Sequence, residues 1–168
     1  MKKLVLSVAL ITSFPAIFAQ TQTELHPVFI YSFIRFVTWP PEATTGDFEI
    51  VVLGDTPILA ELKSLSEKKK APNNRTIHVT KIASMSDFKK GHILYLPVDY
   101  TSRFPEVAAK VGDTPILLLT DQAPAQSKGC FNFVLKEGKL AFEMSQSLMN
   151  KHKLKASTEL TRLAIIIN

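Results

Sequence analysis

Three aspartates stand where an α/β protein would place its chemistry. Asp55, Asp99 and Asp121 each follow a short apolar run that predicts a buried strand. In a mostly parallel sheet, ligands bind at the edge formed by the carboxyl ends of the strands, and carboxylates at that edge could hold a cation or accept a phosphoryl group. An aspartate after a strand is also a common cap of a turn or a helix. The sequence leaves both interpretations open, a ligand crevice and a set of caps.

The motifs of the common catalytic and cofactor-binding centres are missing. The chain has neither G-x-G-x-x-G nor G-x-x-x-x-G-K-[ST], which cradle the phosphates of dinucleotides and nucleotides. It also lacks G-x-S-x-G, the turn that presents a nucleophilic serine. Its four histidines do not have the spacing of a zinc site. We therefore predict that the protein is not an enzyme and holds no cofactor or metal. A hydrolase with an unusual nucleophile is the remaining catalytic alternative.

The one cysteine of the chain, Cys130, has no partner for an internal disulfide or for a paired-thiolate metal site. It stands at the start of an apolar run, which favours a small core residue over a reactive thiolate. We expect the fold to be stabilised by packing alone.

Trp39 is the one tryptophan of the chain, and it follows an apolar helical segment. Pro40 and the proline after it hold the backbone extended, and tryptophan is enriched at the centres of protein interfaces. We select Arg35, Phe36, Trp39 and Pro40 as the candidate interaction residues. The alternatives are a lid over the core for Trp39, a core position for Phe36 and a solvated face for Arg35.

Residues 1–19 have the pattern of a secretory signal. Lys2-Lys3 forms the basic start, an apolar stretch follows, and cleavage after Ala19 would leave Gln20 first. The apolar stretch is shorter than the roughly 20 residues of a membrane span. We predict a periplasmic protein that does not span the membrane after cleavage. A retained membrane anchor is the alternative.

Length and charge bound the class of the mature chain. The 168 residues are 46% hydrophobic and 21% charged, the balance of a folded domain, and we expect residues 20–168 to form one domain. Loss of the two lysines of the signal leaves 18 basic and 15 acidic residues. This mild excess is not the basic stripe of a nucleic-acid binder, so no nucleic-acid partner is expected.

The elements that must position these side chains alternate between helix and strand. Apolar spacing predicts helices at residues 24–37, 58–65 and 104–111, and strands at 48–53, 76–81, 93–96 and 115–119. Continuous apolar strands separated by helices are typical of a parallel sheet that is covered on both faces.

The pattern changes towards the carboxyl terminus. Two strands, at residues 130–135 and 140–142, flank a glycine-containing link that predicts an antiparallel hairpin. Serine-capped helices are predicted at 145–152 and 157–167. The predicted fold class is therefore three-layer α/β: a mixed, mostly parallel sheet with helices on both faces and an antiparallel C-terminal hairpin.

Seven segments resemble, in the same order, those of the YfiR-like periplasmic regulators, and together they cover essentially the whole mature chain. They are Phe33-Ile34-Arg35-Phe36-Val37-Thr38-Trp39-Pro40, Phe48-Glu49-Ile50-Val51-Val52-Leu53-Gly54-Asp55-Thr56-Pro57, Gly91-His92-Ile93-Leu94-Tyr95-Leu96, Pro115-Ile116-Leu117-Leu118-Leu119-Thr120-Asp121, Phe131-Asn132-Phe133-Val134, Phe142-Glu143-Met144, and Leu154-Lys155-Ala156-Ser157 with Leu163-Ala164. Gly91 stands where many relatives have a cysteine, and Ser145 stands where asparagine is frequent. Disulfide-based control is therefore not expected here.

The resemblance implies a non-enzymatic periplasmic protein that binds the periplasmic part of an inner-membrane signalling protein. In the type case the partner is a diguanylate cyclase that the regulator restrains; a sensor kinase is equally compatible. The resemblance, together with the general prevalence of two-fold dimers, also implies a homodimer. The rival hypothesis is a periplasmic small-ligand sensor or carrier that uses the crevice at Asp55, Asp99 and Asp121.

Overall fold

A computed structural model describes residues 25–168, and the predicted signal peptide lies outside the described residues. The helices are α1 (Leu25–Phe36), α2 (Ile58–Lys68), α3 (Phe104–Val111), α4 (Gln146–Lys151) and α5 (Thr158–Leu163). The strands are β1 (Val37–Thr38), β2 (Phe48–Leu53), β3 (Ile77–Ile82), β4 (Ile93–Leu96), β5 (Leu117–Asp121), β6 (Phe131–Lys136), β7 (Lys139–Ser145), β8 (Lys155–Ala156) and β9 (Ile165–Ile167). Among residues 25–168, no helix has both the length and the apolar character needed to cross a bilayer.

Seven strands form one sheet in the order β3-β2-β4-β5-β6-β7-β9. Neighbouring strands are parallel except for β6 and β7, which form an antiparallel hairpin. β1 and β8 make a separate two-residue antiparallel pair. The predicted mixed, mostly parallel sheet with a C-terminal hairpin is thus confirmed.

Helices cover both faces of the sheet. The connection from β2 through α2 leads to β3 on one side, whereas the connection from β4 through α3 leads to β5 in the opposite direction. Because such crossovers are right-handed, α2 and α3 lie on opposite faces. All four residues of β4 are buried, which is why the central strands are continuous apolar runs rather than alternating ones.

An aromatic cluster holds α1 against one face of the sheet. The ring of Phe33 lies 4.6 Å from Phe131, 5.8 Å from Phe133 and 5.0 Å from Phe142, measured between ring centroids. The pairs with Phe131 and Phe142 are edge-to-face and the pair with Phe133 is stacked, and such aromatic pairs add about 0.5–1.5 kcal/mol each beyond their buried area. α1 is therefore fixed over β6 and β7.

The hairpin turn follows from its residue types. Glu137 has φ 52° and Gly138 has φ 73°, the two left-handed positions of a two-residue turn whose twist matches that of its strands. Lys136 pairs with Lys139 at the base of the turn. The glycine at the second position makes this turn possible without strain at that residue.

The last predicted helix is wrong in its second half. The sequence predicts helix over residues 157–167, but α5 ends at Leu163 and β9 follows at Ile165–Ile167, parallel to β7. Three consecutive isoleucines favour strand because their branched side chains are restricted in a helix. The free edge of β7 supplies the partner, so tertiary pairing overrides the apolar spacing.

Candidate functional site

The three predicted aspartates lie together. Asp55, Asp99 and Asp121 line a cavity of about 130 Å³ that is also lined by His26 and Tyr95. Asp55 follows β2, Asp99 follows β4 and Asp121 ends β5, so the cavity lies at the carboxyl ends of three strands. We call it the Asp121 crevice.

The crevice lies where the chain changes direction across the sheet. From β2 the chain passes through α2 to β3, and it then returns to β4 on the other side of β2. The connections that follow β2 and β4 therefore leave towards opposite faces of the sheet. A gap forms between them at the carboxyl ends of these two strands. Open α/β sheets bind ligands in the gap that forms there.

Asp121 is the innermost carboxylate of the crevice. Tyr95 Oη donates a hydrogen bond to Asp121 Oδ2 at 2.9 Å, and His26 Nε2 lies 3.5 Å from the same oxygen. Burial, and then the negative charge of Asp121, raise the pKa of Tyr95, so its hydroxyl remains a donor. The other carboxylate oxygen, Oδ1, is buried and has no hydrogen-bond partner within residues 25–168. It is an acceptor at the crevice without a donor.

Asp55 and Asp99 form the exposed rim of the crevice. Asp55 Oδ1 accepts a hydrogen bond from Lys81 Nζ at 2.6 Å, and this contact raises the pKa of Lys81. α2 and the 3-10 turn after β4 begin without a side-chain cap, and Asp121 accepts from Tyr95 rather than from backbone. Asp55 and Asp99 therefore do not cap these two elements, and the ligand crevice stays a prediction.

Gly54 sets the backbone conformation immediately before Asp55. Its φ of +81° is left-handed, and a Cβ at this position would overlap the ring of Tyr100. The Gly54 N–H also donates to the Ile82 carbonyl at 2.8 Å, which ties the end of β2 to β3. Only glycine both adopts this φ readily and leaves room for the Tyr100 ring.

Trp39 lies at the opposite edge of the sheet, near the start of β2. Its side chain packs edge-to-face on Phe48 at 5.2 Å and lies 6.3 Å from the His92 ring. Trp39 is only 7% exposed, which agrees with the lid over the core that was the alternative to an interface residue. Its Nε1 is buried without a hydrogen-bond partner among the described residues.

The other candidate interaction residues lie at the surface around Trp39. Arg35 is exposed, and Phe36 and Pro40 are half-buried. The Arg35 guanidinium stands 5.3 Å from the centre of the Phe36 ring, within the range of a cation–π contact. The Ser157 N–H donates to the Phe36 carbonyl at 2.8 Å, which fixes the end of α1.

His92 is a half-buried neutral histidine that its spacing did not single out. The Glu49 N–H donates to His92 Nδ1 at 3.0 Å, so the proton of the neutral ring is on Nε2, which donates to the Ala43 carbonyl at 2.9 Å. Arg75 Nη2 also lies 2.9 Å from Nε2. Burial first, and the nearby Arg75 charge as a further cause, lower the pKa of His92 to about 4. The ring stacks on Phe48 at 4.5 Å.

Arg75 joins the same cluster, and no motif in the sequence marks it. Its Nε donates to the Gly46 carbonyl at 2.6 Å and its Nη2 to the Asp47 carbonyl at 3.2 Å. The guanidinium also lies 5.5 Å from the centre of the Phe48 ring. Arg75 thereby holds the loop before β2, and its partners are 28 and 29 residues away in sequence. Local spacing contains no signal of this contact.

Cys130 is a core residue, as predicted. It is fully buried, and burial raises the pKa of its thiol to about 12, so the nucleophilic thiolate is not formed at neutral pH. Within the described part of the chain, no group of three or more histidine, cysteine, aspartate or glutamate side chains could hold a metal ion.

The fold is that of a doubly wound α/β protein, and the Asp121 crevice lies at its topological switch point. The chain belongs to the YfiR/HmsC-like family, whose model matches residues 23–165. This assignment agrees with the resemblance found in the seven segments and is consistent with a regulatory protein of the periplasm. No curated protein matches the chain.

Proposed function

We propose that this protein is a non-enzymatic periplasmic regulator that binds the periplasmic part of an inner-membrane signalling protein and modulates its output. The partner is a diguanylate cyclase or a sensor kinase. The observation that carries the proposal is membership of the YfiR/HmsC-like family over residues 23–165. The signal-like pattern of residues 1–19 supports export to the compartment in which such partners present their sensor regions.

The surface proposed for this contact is the interaction patch formed by Arg35, Phe36 and Pro40 over Trp39. Arg35 is exposed and rests on the Phe36 ring, so its side chain loses less conformational freedom on binding. Arginine and aromatic residues are enriched among residues that contribute most to binding. Trp39, which lies between Phe36 and Pro40 in the chain, is buried and packs on Phe48.

The test is a titration of the purified protein with the periplasmic domains of membrane cyclases and kinases from the same cell, followed by calorimetry. Arg35→Ala should weaken binding by about 1–2 kcal/mol without unfolding the protein. Lys110→Ala, at an exposed position on α3 on the opposite face, should bind as the wild type does. Equal affinity of Arg35→Ala and wild type would show that the interaction patch does not take part in binding. No binding to any such domain, with turnover of a small molecule instead, would overturn the proposed function.

A homodimer belongs to the same proposal, and its support is the family and the prevalence of two-fold dimers among oligomers. Sedimentation velocity at micromolar concentration should give twice the mass of one chain. A single species at the mass of one chain would contradict it.

A second candidate function is a sensor or carrier that uses the Asp121 crevice. The observation that favours it is the buried Asp121 Oδ1, which has no donor within residues 25–168. A small primary ammonium ion would supply hydrogen-bond donors and a positive charge for the carboxylates. Methylammonium should raise the melting temperature of wild type but not of Asp121→Asn, whereas tetramethylammonium, which has the charge but no N–H, should affect neither. An equal effect of the two ions would contradict the binding of an ammonium ion through its N–H groups in the Asp121 crevice.

A further inference from the structure

Exposed basic side chains lie at the carboxyl ends of α1 and α2. Arg35 lies in the last turn of α1, α2 ends at Lys68, and Lys69 and Lys70 begin the loop towards β3; all four side chains are exposed. Arg75 follows in the turn before β3 and is half-buried. We call these five residues the basic patch.

Tyr31 brings the two helix ends together. Lys69 Nζ lies 5.6 Å from the centre of the Tyr31 ring, and Tyr31 Oη donates to the Lys70 carbonyl at 3.4 Å. Arg35 lies four residues after Tyr31, and residues at this spacing are neighbours on the surface of a helix. Arg35 and Arg75 also line one cavity. The basic residues of the two helix ends therefore form one continuous surface.

The positive charge of the basic patch is not neutralised by ion pairs. Within residues 25–168, none of its five side chains pairs with a carboxylate, whereas Lys81, Arg103 and Lys128 do so at 2.6–2.9 Å. α1 contains no acidic residue, and the acidic residues of α2 are Glu61 and Glu67. The basic residues outnumber them, and a surface with an excess of one charge attracts partners of the opposite charge.

The residue types favour a fluid anionic surface over a structured partner. Lysine is a strongly hydrated point charge on a flexible stem, and it is depleted in protein interfaces, where arginine and aromatic residues are enriched. Three consecutive lysines, Lys68 to Lys70, can follow charged groups that have no fixed arrangement. A layer of anionic lipid headgroups is such a surface, and it attracts clusters of basic residues.

Side chains next to the basic patch fit the same surface. Val28 is 60% exposed and lies two helical turns before Arg35, on the same face of α1. The half-buried ring of Tyr31 lies beside Lys69, and tyrosine is enriched where a membrane meets water. An apolar side chain and an aromatic ring therefore accompany the charges, as contact with a headgroup layer requires.

We propose that the basic patch docks the protein on a bilayer that contains anionic phospholipids. The lysine ammonium groups and the Arg35 guanidinium contact the headgroup phosphates, Arg75 adds to the positive field, and Val28 lies at the level of the headgroups. This contact goes beyond the proposed function, because it needs no signalling protein. The two kinds of binding are measured separately, so either can fail alone. Arg35 also belongs to the interaction patch, so docking would bring that patch close to the membrane.

The test is co-sedimentation of the purified protein with lipid vesicles that contain no other protein. Residues 1–19 are removed, so that the apolar stretch of the signal cannot bind lipid itself, and residues 25–168 remain whole. The vesicles are phosphatidylcholine alone or an equal mixture with phosphatidylglycerol. The anionic mixture should bind the protein at least about ten times more tightly. Salt at about 1 M instead of about 0.1 M, which shortens the screening length from about 10 Å to about 3 Å, should release it.

Two double variants locate the contact. Lys69→Gln with Lys70→Gln should weaken binding to anionic vesicles by about 25-fold, since each lysine near such a surface contributes about fivefold. Lys89→Gln with Lys90→Gln, at exposed positions on the loop before β4, is the control, because acidic residues line the same cavity as these lysines. It should lose no more than about twofold. Both double variants have the same net charge, so a difference between them reports the position of the charges.

The proposal is overturned if the wild type binds neither kind of vesicle or binds both equally. It is also overturned if the two double variants, each folded by circular dichroism, lose the same affinity, because net charge alone would then explain the binding. Glycerol 1-phosphate has the charge of a headgroup without a surface, and full displacement by it would indicate a site for a single phosphate instead of a bilayer. The comparison of the two kinds of vesicle decides the matter even if a variant does not fold.

Discussion

The two edges of the central sheet carry opposite chemistry. At the carboxyl ends of the strands, the Asp121 crevice combines three carboxylates with a buried oxygen that lacks a donor. At the amino ends of the strands, which we call the Trp39 edge, a cavity beside the end of α1 is lined by Arg35 and Arg75 and by no acidic residue. The charges of the Asp121 edge favour cations, and those of the Trp39 edge favour anions.

One helix connects these two regions. α1 has twelve residues and so extends about 18 Å at 1.5 Å per residue. His26 in its first turn lines the Asp121 crevice, and Arg35 near its end lines the cavity at the Trp39 edge. The position of α1 on the sheet therefore affects both regions at once, whereas each loop affects only one of them.

The largest effect is expected from Phe33→Ala, which loosens α1 and so disturbs both edges. Phe33 is fully buried against three phenylalanines of the sheet, and such a truncation costs about 3–5 kcal/mol. Val28→Ala on the same helix, at a position that is 60% exposed, should change stability by less than about 0.5 kcal/mol. Urea denaturation measures both. Similar losses in the two variants would mean that α1 is not fixed by this cluster.

Gly54→Ala should disturb the Asp121 edge alone. The new methyl group would overlap the Tyr100 ring at a left-handed φ, and the combined cost is about 2–3 kcal/mol. Gly46 also has a left-handed φ, but a Cβ there meets nothing within 4 Å, so Gly46→Ala should cost only about 1 kcal/mol. Thermal unfolding compares the two. If the variants lose the same stability, Tyr100 does not press on this turn.

Low pH should disturb the Trp39 edge. The pKa of His92 is lowered to about 4 in the folded protein, whereas an unfolded histidine titrates near 6.5. The contribution of neutral His92 to stability is therefore fully present above pH 6.5, decreases as the pH falls to 4 and does not decrease further below it. Allowing for the partial exposure of the ring, we expect about 1–2 kcal/mol.

The measurement is the free energy of unfolding between pH 7 and pH 4 for wild type and His92→Gln. The variant should lose less stability over this interval. The pKa of His152 is also lowered by burial, but His152 is present in both proteins and does not affect the difference. His78→Gln, at an exposed position on β3, serves as the control. Parallel profiles for wild type and His92→Gln would contradict the neutral state of His92 in the folded protein.

The Asp121 edge is the part of the site that could be predicted from the sequence. A parallel sheet brings the ends of its apolar strands to one side, so three aspartates after three such runs must lie near one another. The central strands β2 and β4 could also be predicted, because their apolar runs end at Gly54 and Pro97. In both cases the prediction rests on neighbouring residues in the sequence: an apolar run and the residues that end it.

The Trp39 edge could be predicted only in part, because its contacts join distant segments. Arg75 reaches the loop before β2, and His92 reaches both Glu49 and Ala43. Neither residue belongs to a spacing pattern of its own element. The strand β9 was missed for the same reason, since its pairing with β7 overrides the helical spacing of the preceding residues.

The smallest effect, close to zero, is expected from reducing agent. Cys130 is the one cysteine of the chain, and it is buried, so neither edge depends on a disulfide. The melting temperature of the purified protein should be the same with and without dithiothreitol. A large decrease on reduction would require a bridge between chains and would contradict the buried state of Cys130.

The proposed function is the binding of a membrane signalling protein through the interaction patch at the end of α1. Site-specific photo-cross-linking in whole cells tests it most directly, with a benzophenone side chain introduced at Arg35 and, as the control, at Lys110 on α3. We expect a cross-linked product from position 35 that contains an inner-membrane protein with a cyclase or kinase domain, and no such product from position 110. No product from position 35, or the same product from both positions, would contradict binding through this patch.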